Sequence, residues 1–310
     1  MNQLNQPETS QPKNSRIEFE SKSSWPCPVK LNLFLQFVGQ RDDGYHLLQS
    51  YFQLLDFGDD LEISINSTGK ITFSCDDETL NSSDNLVVAA ANKLKAESNC
   101  PHGAHLHLIK RSPVGGGVGG GSSDCATALV ALNHLWNTEF SLQQLADFGQ
   151  SLGADVPIFV RGQSAFVEGI GEIITPYKLP SAYFLVIQPA CHISTHEIFS
   201  NPLLTRNSKA ITIRDLETLG LPFNGFNTMQ SLVVDDNSKV NEALDWLKQH
   251  SSNARMTGSG SCLFSVFDNQ QEASKIAALC DPRWQTFVAR GVNQSRLHKK
   301  LGYTAIESKA

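Results

Sequence analysis

The chain has 310 residues, 40% of them hydrophobic and 18% charged, the balance of a well-packed globular protein of one large or two ordinary domains. The formal net charge is -6 and no basic run exceeds two residues, which argues against nucleic acid as a partner held through phosphate contacts. No apolar run reaches the roughly 20 residues of a membrane-spanning helix, so no membrane is expected as a partner.

Residues 1–24 are polar, lack an apolar stretch of the signal-peptide kind and read as a disordered tail. Seven cysteines (27, 75, 100, 125, 191, 262, 280) are scattered, odd in number and without a CxxC pair. With no export signal this predicts reduced thiols and a cytoplasmic protein. Cys125 near a helix start has the position of a nucleophile, but the plainer reading is a small buried hydrophobe.

In "KLNLFLQFVG" (30–39) Leu31, Leu33, Leu35 and Phe37 alternate with Lys30, Asn32, Phe34 and Gln36, a strand with one core face. An Arg-Asp-Asp-Gly turn follows at 41–44, where Asp42 and Asp43 suit solvated turn chemistry. Residues 50–65 predict two strands broken near Gly58, and 70–75 another. Early strands joined by short turns point to an antiparallel or mixed sheet. Residues 83–98 read as a helix with Asp84 as N-cap and Leu86, Ala89, Ala90 and Leu94 on one face. Residues 103–110 alternate again as a strand. His105 and His107 share a face there, and with His102 they raise the question of zinc. Only Cys100 stands near to complete such a site, and a solvent-facing strand edge is the plainer reading.

Six glycines then fall in seven residues, 115–121, and a helix follows at once. Cys125, Ala128, Leu129, Leu132, Leu135 and Trp136 have helical spacing, with Ser122 and Ser123 as candidate N-cap hydroxyls. Glycine loses more freedom on folding than any other residue, so this density asks for a reason. Unobstructed backbone N–H groups ahead of a helix N-terminus form an anion cradle. No lysine follows as in a P-loop. G-x-G-x-x-G matches at Gly115, Gly117 and Gly120, but no strand runs into the first glycine, and Glu139 falls between two helices rather than at a strand end.

Further on, Ser141 and Gln144 form a capping box for a second helix that Gly153 can end. Residues 153–177 read as glycine-punctuated β structure and 183–190 as a strong strand, with a domain boundary placed between them. A helix at 240–250, a turn and strand over 255–267, a helix at 273–280 and a strand at 285–292 complete the pattern.

"PVGGGVGGGSS" resembles the phosphate loop of the GHMP small-molecule kinases. "PCPVKLNLFL" and "MTGSGSCLFSVF" resemble that family's first and third motifs, in the family's order. The resemblance implies an α+β, two-domain GHMP kinase fold: a ribosomal protein S5 domain 2-like N-terminal domain over 25–180 and a ferredoxin-like C-terminal domain over 181–304, with the substrate cleft between them. Longer stretches, among them "GQRDDGYHLLQSYFQLLDFGD" and "LGADVPIFVRGQSAFVEGIGE", resemble the branch that acts on an alcohol carrying a cytidine diphosphate, cytidine diphosphate methylerythritol. Departures are Val29 where alanine is common, Asp124-Cys125 where Asn-Ala is common, and Ser261 where alanine is frequent.

The resemblance implies ATP as phosphoryl donor, with magnesium arriving on it rather than in a protein cage, in a monomer or homodimer. It makes Asp155 the general base and places Lys30 beside it, to keep the carboxylate ionised, to orient the hydroxyl, or to meet the γ-phosphate. Lys110, Pro113, Val114, Gly115, Gly116, Gly117, Val118, Gly119, Gly120 and Gly121 form the ATP site, with Ser122 and Ser123 binding phosphate or magnesium by hydroxyl. Asn32, two residues past Lys30 on the same strand face, holds substrate or orders the lysine. Tyr45 and His46 look like cytosine readers, Phe199 like a second stacking residue, and Thr195 like a further substrate contact. Thr257, Gly258 and Ser259 brace the phosphate loop.

Overall fold

A computed structural model describes residues 19, 21–220 and 223–305. The expected tail lies largely outside them, but its last three residues do not: β1 (Lys22–Gln40) already begins at Lys22. β1 pairs antiparallel with β2 (His46–Asn66) from Lys22↔Ser64 to Gln40↔His46. This long hairpin is the spine of the molecule. The predicted break at Gly58 is a kink within one strand. The register shifts opposite it, between Pro28 and Lys30, and a Cβ on Gly58 would sit 1.9 Å from the Cys27 carbonyl oxygen, so only glycine lets the strands approach. The one-faced alternation predicted for 30–39 is overridden. Leu33, Phe34 and Leu35 are all buried, because apolar cores cover both faces of β1.

β3 (Ile71–Cys75) crosses through α1 (Leu86–Ser98) to β4 (Gly103–Ile109), which lies parallel to β3 and antiparallel to β2. The sheet is therefore mixed. Asn85, not Asp84, caps α1, accepting from the Val87 N–H. The buried face is Val87, Ala90, Ala91 and Leu94, turned from the predicted one by the position of the cap. β4 is an interior strand, not an edge. His105 and His107 meet the hydroxyls of Thr72 and Ser74 across the parallel pair, each at Nδ1.

α2 (Gly120–Leu135) follows the glycines and is buried on nearly every side. Gly119 is its N-cap, without a side-chain bond, so Ser122 and Ser123 lie inside the first turn rather than capping it. Cys125 is fully buried in the core, and burial pushes its thiol up to about 12. α3 (Leu142–Gln150) has the reciprocal Ser141–Gln144 capping box. The β structure predicted from 153 starts instead with a short helix, α4 (Val156–Arg161), with Pro157 in its first turn and left-handed Gly162 at its end. β5 (Ala165–Gly169) and β6 (Ile173–Pro176) then form a hairpin that joins β2 at Leu48–Phe52.

The second half places β7 (Tyr183–Gln188), α5 (Thr195–Ser200), α6 (Asp215–Thr218), α7 (Gln230–Asp236), α8 (Ser238–His250), β8 (Arg255–Met256), β9 (Leu263–Phe267), α9 (Gln270–Ala277) and β10 (Gln285–Val292). Its strands run β10-β7-β9-β8, and β10 docks on β2 at Gly291↔Leu55 and Val292↔Leu54, so one sheet continues across both halves. α10 (Arg296–Lys300) returns to the first half, where Leu297 joins the core that α2 and β4 build. The described cysteines are all free thiols. No helix among the described residues is long and apolar enough to cross a membrane.

Candidate active site

The glycine loop between β4 and α2 has backbone angles of φ +66° at Gly115, +77° at Gly117 and +74° at Gly119. Left-handed residues thus alternate with ordinary ones, the pattern that turns successive N–H groups toward one side as an anion nest. The loop is pinned from two directions. From β1, the Lys30 N–H donates to the Val118 carbonyl at 3.0 Å. From the turn between β8 and β9, the Cys262 N–H donates to the Gly116 carbonyl at 3.1 Å. A Cβ on Gly117 would lie 2.5 Å from the Thr257 carbonyl oxygen, and one on Gly116 2.4 Å from the Cys262 sulfur. These glycines are small because protein, as well as ligand, must come close.

The loop forms one wall of a cleft of about 850 Å³ between the two halves. Lys30, Asn32, Lys110, Gly120, Ser122 and Asp155 line it on one side, and Thr195, Phe199 and Ser259 on the other. Val118 and Ser123 do not reach it. Val118 is fully buried in the core beneath the loop, and Ser123 is fully buried with its hydroxyl unpaired. A valine inside a phosphate loop faces inward for the ordinary reason that it is apolar.

Lys30 is 3% exposed, and its ammonium has three acceptors around it: Asn32 Oδ1 at 2.6 Å, the Gly117 carbonyl at 3.1 Å and Asp155 Oδ2 at 3.4 Å. Three donors for three acceptors is the full capacity of an ammonium. Asp155 stands at the N-cap position of α4 without a capping bond, so its carboxylate remains free to face the cleft, 33% exposed. Asn32 is held at both ends of its amide, accepting from Lys30 and donating to Ser50 Oγ at 2.9 Å. Of its two predicted roles, this geometry is that of a residue that orders the lysine.

Lys110, expected as a nucleotide contact, lines the cleft but is already paired within the protein. Its ammonium is locked between Asp59 Oδ2 at 2.6 Å and Asp124 Oδ2 at 2.8 Å, and its side chain is 8% exposed. Asp59 also accepts from the N–H groups of Arg111 and Ser112 and from Ser112 Oγ. Burial works against ionising Asp59, but the Lys110 charge and these hydrogen bonds outweigh it and hold its carboxyl below the usual range. Asp124 has no such donors, and its Oδ1 is buried without a partner. Burial, with Asp59 adding to it against Lys110, pushes Asp124 up to about 7. The departure at 124 from the common asparagine was the one trace of this network in the sequence.

The turn expected to brace the loop lies against it, a Cβ on Gly258 standing 2.8 Å from the Gly117 carbonyl oxygen, and its own polar groups are held by other segments. Thr257 Oγ1 accepts from the Asn32 N–H at 2.9 Å, the Gly258 carbonyl accepts from Asn227 Nδ2 at 2.8 Å, and Ser259 Oγ bonds Thr195 Oγ1 at 2.8 Å.

This arrangement has counterparts among known proteins. Residues 85–163 match the family model "GHMP kinases N terminal domain" and residues 207–280 the model "GHMP kinases C terminal". A protein of Histophilus somni (strain 129Pt) named 4-diphosphocytidyl-2-C-methyl-D-erythritol kinase is 47% identical over 282 residues, covering 91% of this chain and 88% of the relative. A protein of the same name from Pseudomonas aeruginosa (strain LESB58) is 46% identical over 278 residues, covering 90% and 97%. The chain belongs to the 4-diphosphocytidyl-2-C-methyl-D-erythritol kinase family. A crystal structure of 4-(cytidine 5'-diphospho)-2C-methyl-D-erythritol kinase superposes with a TM-score of 0.75 at 26% identity, covering 87% of this chain and 99% of that one. Mevalonate kinase of Methanococcus jannaschii shares the fold, with a TM-score of 0.63 at 16% identity over 91% of this chain and 100% of its own.

Within this kinase family member, the residues expected to read a nucleobase gather at one end of the cleft, with one exception. Tyr45 is 60% exposed on the β1–β2 turn and has no ring partner in the cluster. His46 packs on Phe37 and Phe199, with ring centroids 5.4 and 5.0 Å away. Phe37 and Phe199 line the cleft, and His46 packs against both. Arg206, which no motif singled out, donates from Nε to His46 Nε2 at 2.8 Å. The Arg-Asp-Asp-Gly turn is solvated as expected, with an exposed Arg41–Asp43 pair at 2.7 Å. No cluster of three or more His, Cys, Asp or Glu with metal-site geometry occurs among the described residues.

Proposed function

We propose that this protein transfers the γ-phosphoryl group of ATP to the 2-hydroxyl of 4-diphosphocytidyl-2-C-methyl-D-erythritol, a step of the non-mevalonate isoprenoid precursor route. The observation that carries the mechanism is the Lys30–Asp155 pair at 3.4 Å, in the same cleft as the glycine loop and Phe199. A base and a fixed positive charge thus share one cleft with the place suited to phosphates and the place suited to a nucleobase.

Asp155 accepts the proton of the attacking hydroxyl, and Lys30 keeps that carboxylate oriented. The ammonium is already committed to Asn32 and Gly117, so it holds its position without reorganising as charge develops. The N–H groups of residues 115–121 and the N-terminus of α2 receive the phosphate oxygens. Phosphoryl transfer asks mainly for such positioning and charge stabilisation. Magnesium brought on the nucleotide would be held mainly by phosphates and water and would neutralise charge on the phosphate oxygens. The Ser122 hydroxyl and the Asp155 carboxylate at the cleft are hard oxygen donors of the kind that ion accepts, beside phosphates and water. Tyr45, at the rim, closes over the base when substrate is present. The 25–180 segment binds ATP and the 181–304 segment closes the other side of the substrate cleft between them, in a cytoplasmic enzyme.

The test is ADP release from purified protein with ATP and this alcohol, with Asp155→Asn alongside. The wild type turns over only with the alcohol present. The variant binds ATP but loses about 10²–10⁴-fold in kcat, the range of a positioned base. A fully active variant removes Asp155 from the mechanism, and ATP binding without turnover in the wild type removes the substrate.

A further inference from the structure

Arg206 makes four hydrogen bonds. Nε donates to His46 Nε2 at 2.8 Å, Nη1 to the Leu204 carbonyl at 3.0 Å, and Nη2 to the carbonyls of Phe199 at 3.0 Å and Asn201 at 2.9 Å. It thereby ties a β2 residue of the first half to the segment after α5 in the second. A guanidinium has no acceptor and does not deprotonate. The imidazole nitrogen it faces must therefore be the one without a hydrogen, and the proton of a neutral His46 sits on Nδ1. Burial first, and the Arg206 charge second, lower the His46 pKa from its ordinary value, which keeps the ring neutral near pH 7. Nδ1 has no partner among the described residues, and it is not one of the buried unpaired atoms, so it is open to solvent. The ring that carries it is set against Phe37 and Phe199 at the cleft.

We propose that Arg206 is a positioning residue for nucleobase specificity: it fixes His46 as an Nδ1–H donor, and that donor selects a pyrimidine with an acceptor at N3, as cytosine has, over uracil, whose N3 carries a hydrogen. The proposal rests on the functional reading above. Without Arg206 either ring nitrogen can carry the proton, and an unprotonated Nδ1 accepts from uracil as readily as a protonated one donates to cytosine. Arg206 thus sets the sign of the choice. Facing uracil, the fixed tautomer opposes donor to donor and leaves both unpaired, a mismatch that discriminates more strongly than lost packing does.

The experiment has two parts. The imidazole 15N shifts of His46 are recorded in the free wild type, Arg206→Met and Arg206→Lys. Then kcat/KM is measured for the cytidine substrate and for its uridine analogue. The wild type shows a protonated Nδ1 and an unprotonated Nε2. Arg206→Met moves His46 toward the other tautomer and lowers the cytidine-over-uridine preference about 10-fold or more, mainly through KM. Arg206→Lys, which keeps a donor, retains most of the preference. A wild-type His46 protonated on Nε2 overturns the proposal, as does an Arg206→Met variant with an altered tautomer and an unchanged preference. Simple loosening of the segment after α5 slows both substrates alike and leaves their ratio unmoved, which also overturns it. If Arg206→Met does not fold, the wild-type spectrum and the lysine variant decide. A wild type that turns over neither substrate removes the functional reading, and the specificity with it, while the 15N shifts still report the Arg206–His46 pairing.

Discussion

Replacing Gly117 by alanine probes the phosphate loop with a single methyl group. Two costs can be read from the structure. The backbone at φ +77° is left-handed, which charges an L-residue with a side chain roughly 1–2 kcal/mol. The new Cβ would lie 2.5 Å from the Thr257 carbonyl oxygen and 3.2 Å from the Gly260 nitrogen and oxygen. These are backbone atoms, with no flexible side-chain end to swing away, so the loop must lift, at a further cost of about 1–3 kcal/mol typical of overpacking. The sum, about 2–5 kcal/mol, lowers Tm by about 3–8 °C for a chain of this size. Activity suffers too, because the Gly117 carbonyl is one of the three acceptors that fix the Lys30 ammonium. We expect kcat/KM for ATP to fall at least 10-fold in an assay at a temperature where the variant is still folded. Gly121→Ala is the control. Its Cβ meets only Leu86 Cδ1, at 4.0 Å, inside the first turn of α2, where alanine stabilises by up to about 1 kcal/mol. A Gly117→Ala protein with wild-type Tm and wild-type kcat/KM would refute the packing argument, and equal losses at both positions would show that the ligand, not the Thr257 turn, demands the glycines.

Lys110→Met leaves the buried Asp59 and Asp124 carboxylates side by side without their cation and is expected to cost about 3–5 kcal/mol; adding Asp124→Asn recovers part of it, measured by denaturant unfolding. His298 is 2% exposed, and burial pushes its imidazole down to about 4. Its folded pKa lies below the unfolded 6.5, so its contribution is present above pH 6.5 and is lost as pH falls toward 4, by up to about 3 kcal/mol. Asp124 runs the opposite way. Its folded value of about 7 lies above the unfolded 3.8, so its contribution is full below pH 3.8 and is lost as pH rises through 7. Unfolding followed from pH 4 to 8 is expected to show a flatter rise in stability with pH for His298→Gln, and a gain for Asp124→Asn at pH 8 that shrinks steadily as pH falls toward 4; parallel profiles in wild type and variants would count against both assignments.

What the sequence disclosed and what it hid differ by the kind of interaction involved. The glycine loop, the Ser141–Gln144 box and the strands at 103–110 and 183–190 are set by neighbours in the chain, so local pattern carries them. α4 was hidden because "VPIFVR" is rich in β-branched and aromatic residues, whose strand preference is overridden once Val156, Ile158 and Phe159 pack into the core. Asp59, Lys110 and Asp124 are separated by 51 and 14 positions, and Arg206 lies 160 from His46. No local spacing could signal these pairs.

The two lysines at the loop make the distinction sharpest. Each is a cation at or beside a strand, and from residue type alone the two are equivalent. In the fold, Lys30 has two neutral acceptors and one carboxylate that is one-third exposed. That carboxylate faces the cleft, so a hydroxyl entering there meets it with the lysine already in place. Lys110 faces two nearly inaccessible carboxylates and is more than balanced before any ligand arrives. Lys110 therefore ties the end of β4 and the start of α2 together behind Gly120, where a Cβ would stand 3.1 Å from its ammonium. The two lysines differ in where their carboxylate partners stand, one facing the cleft and two shut away from it, and that difference exists only in three dimensions.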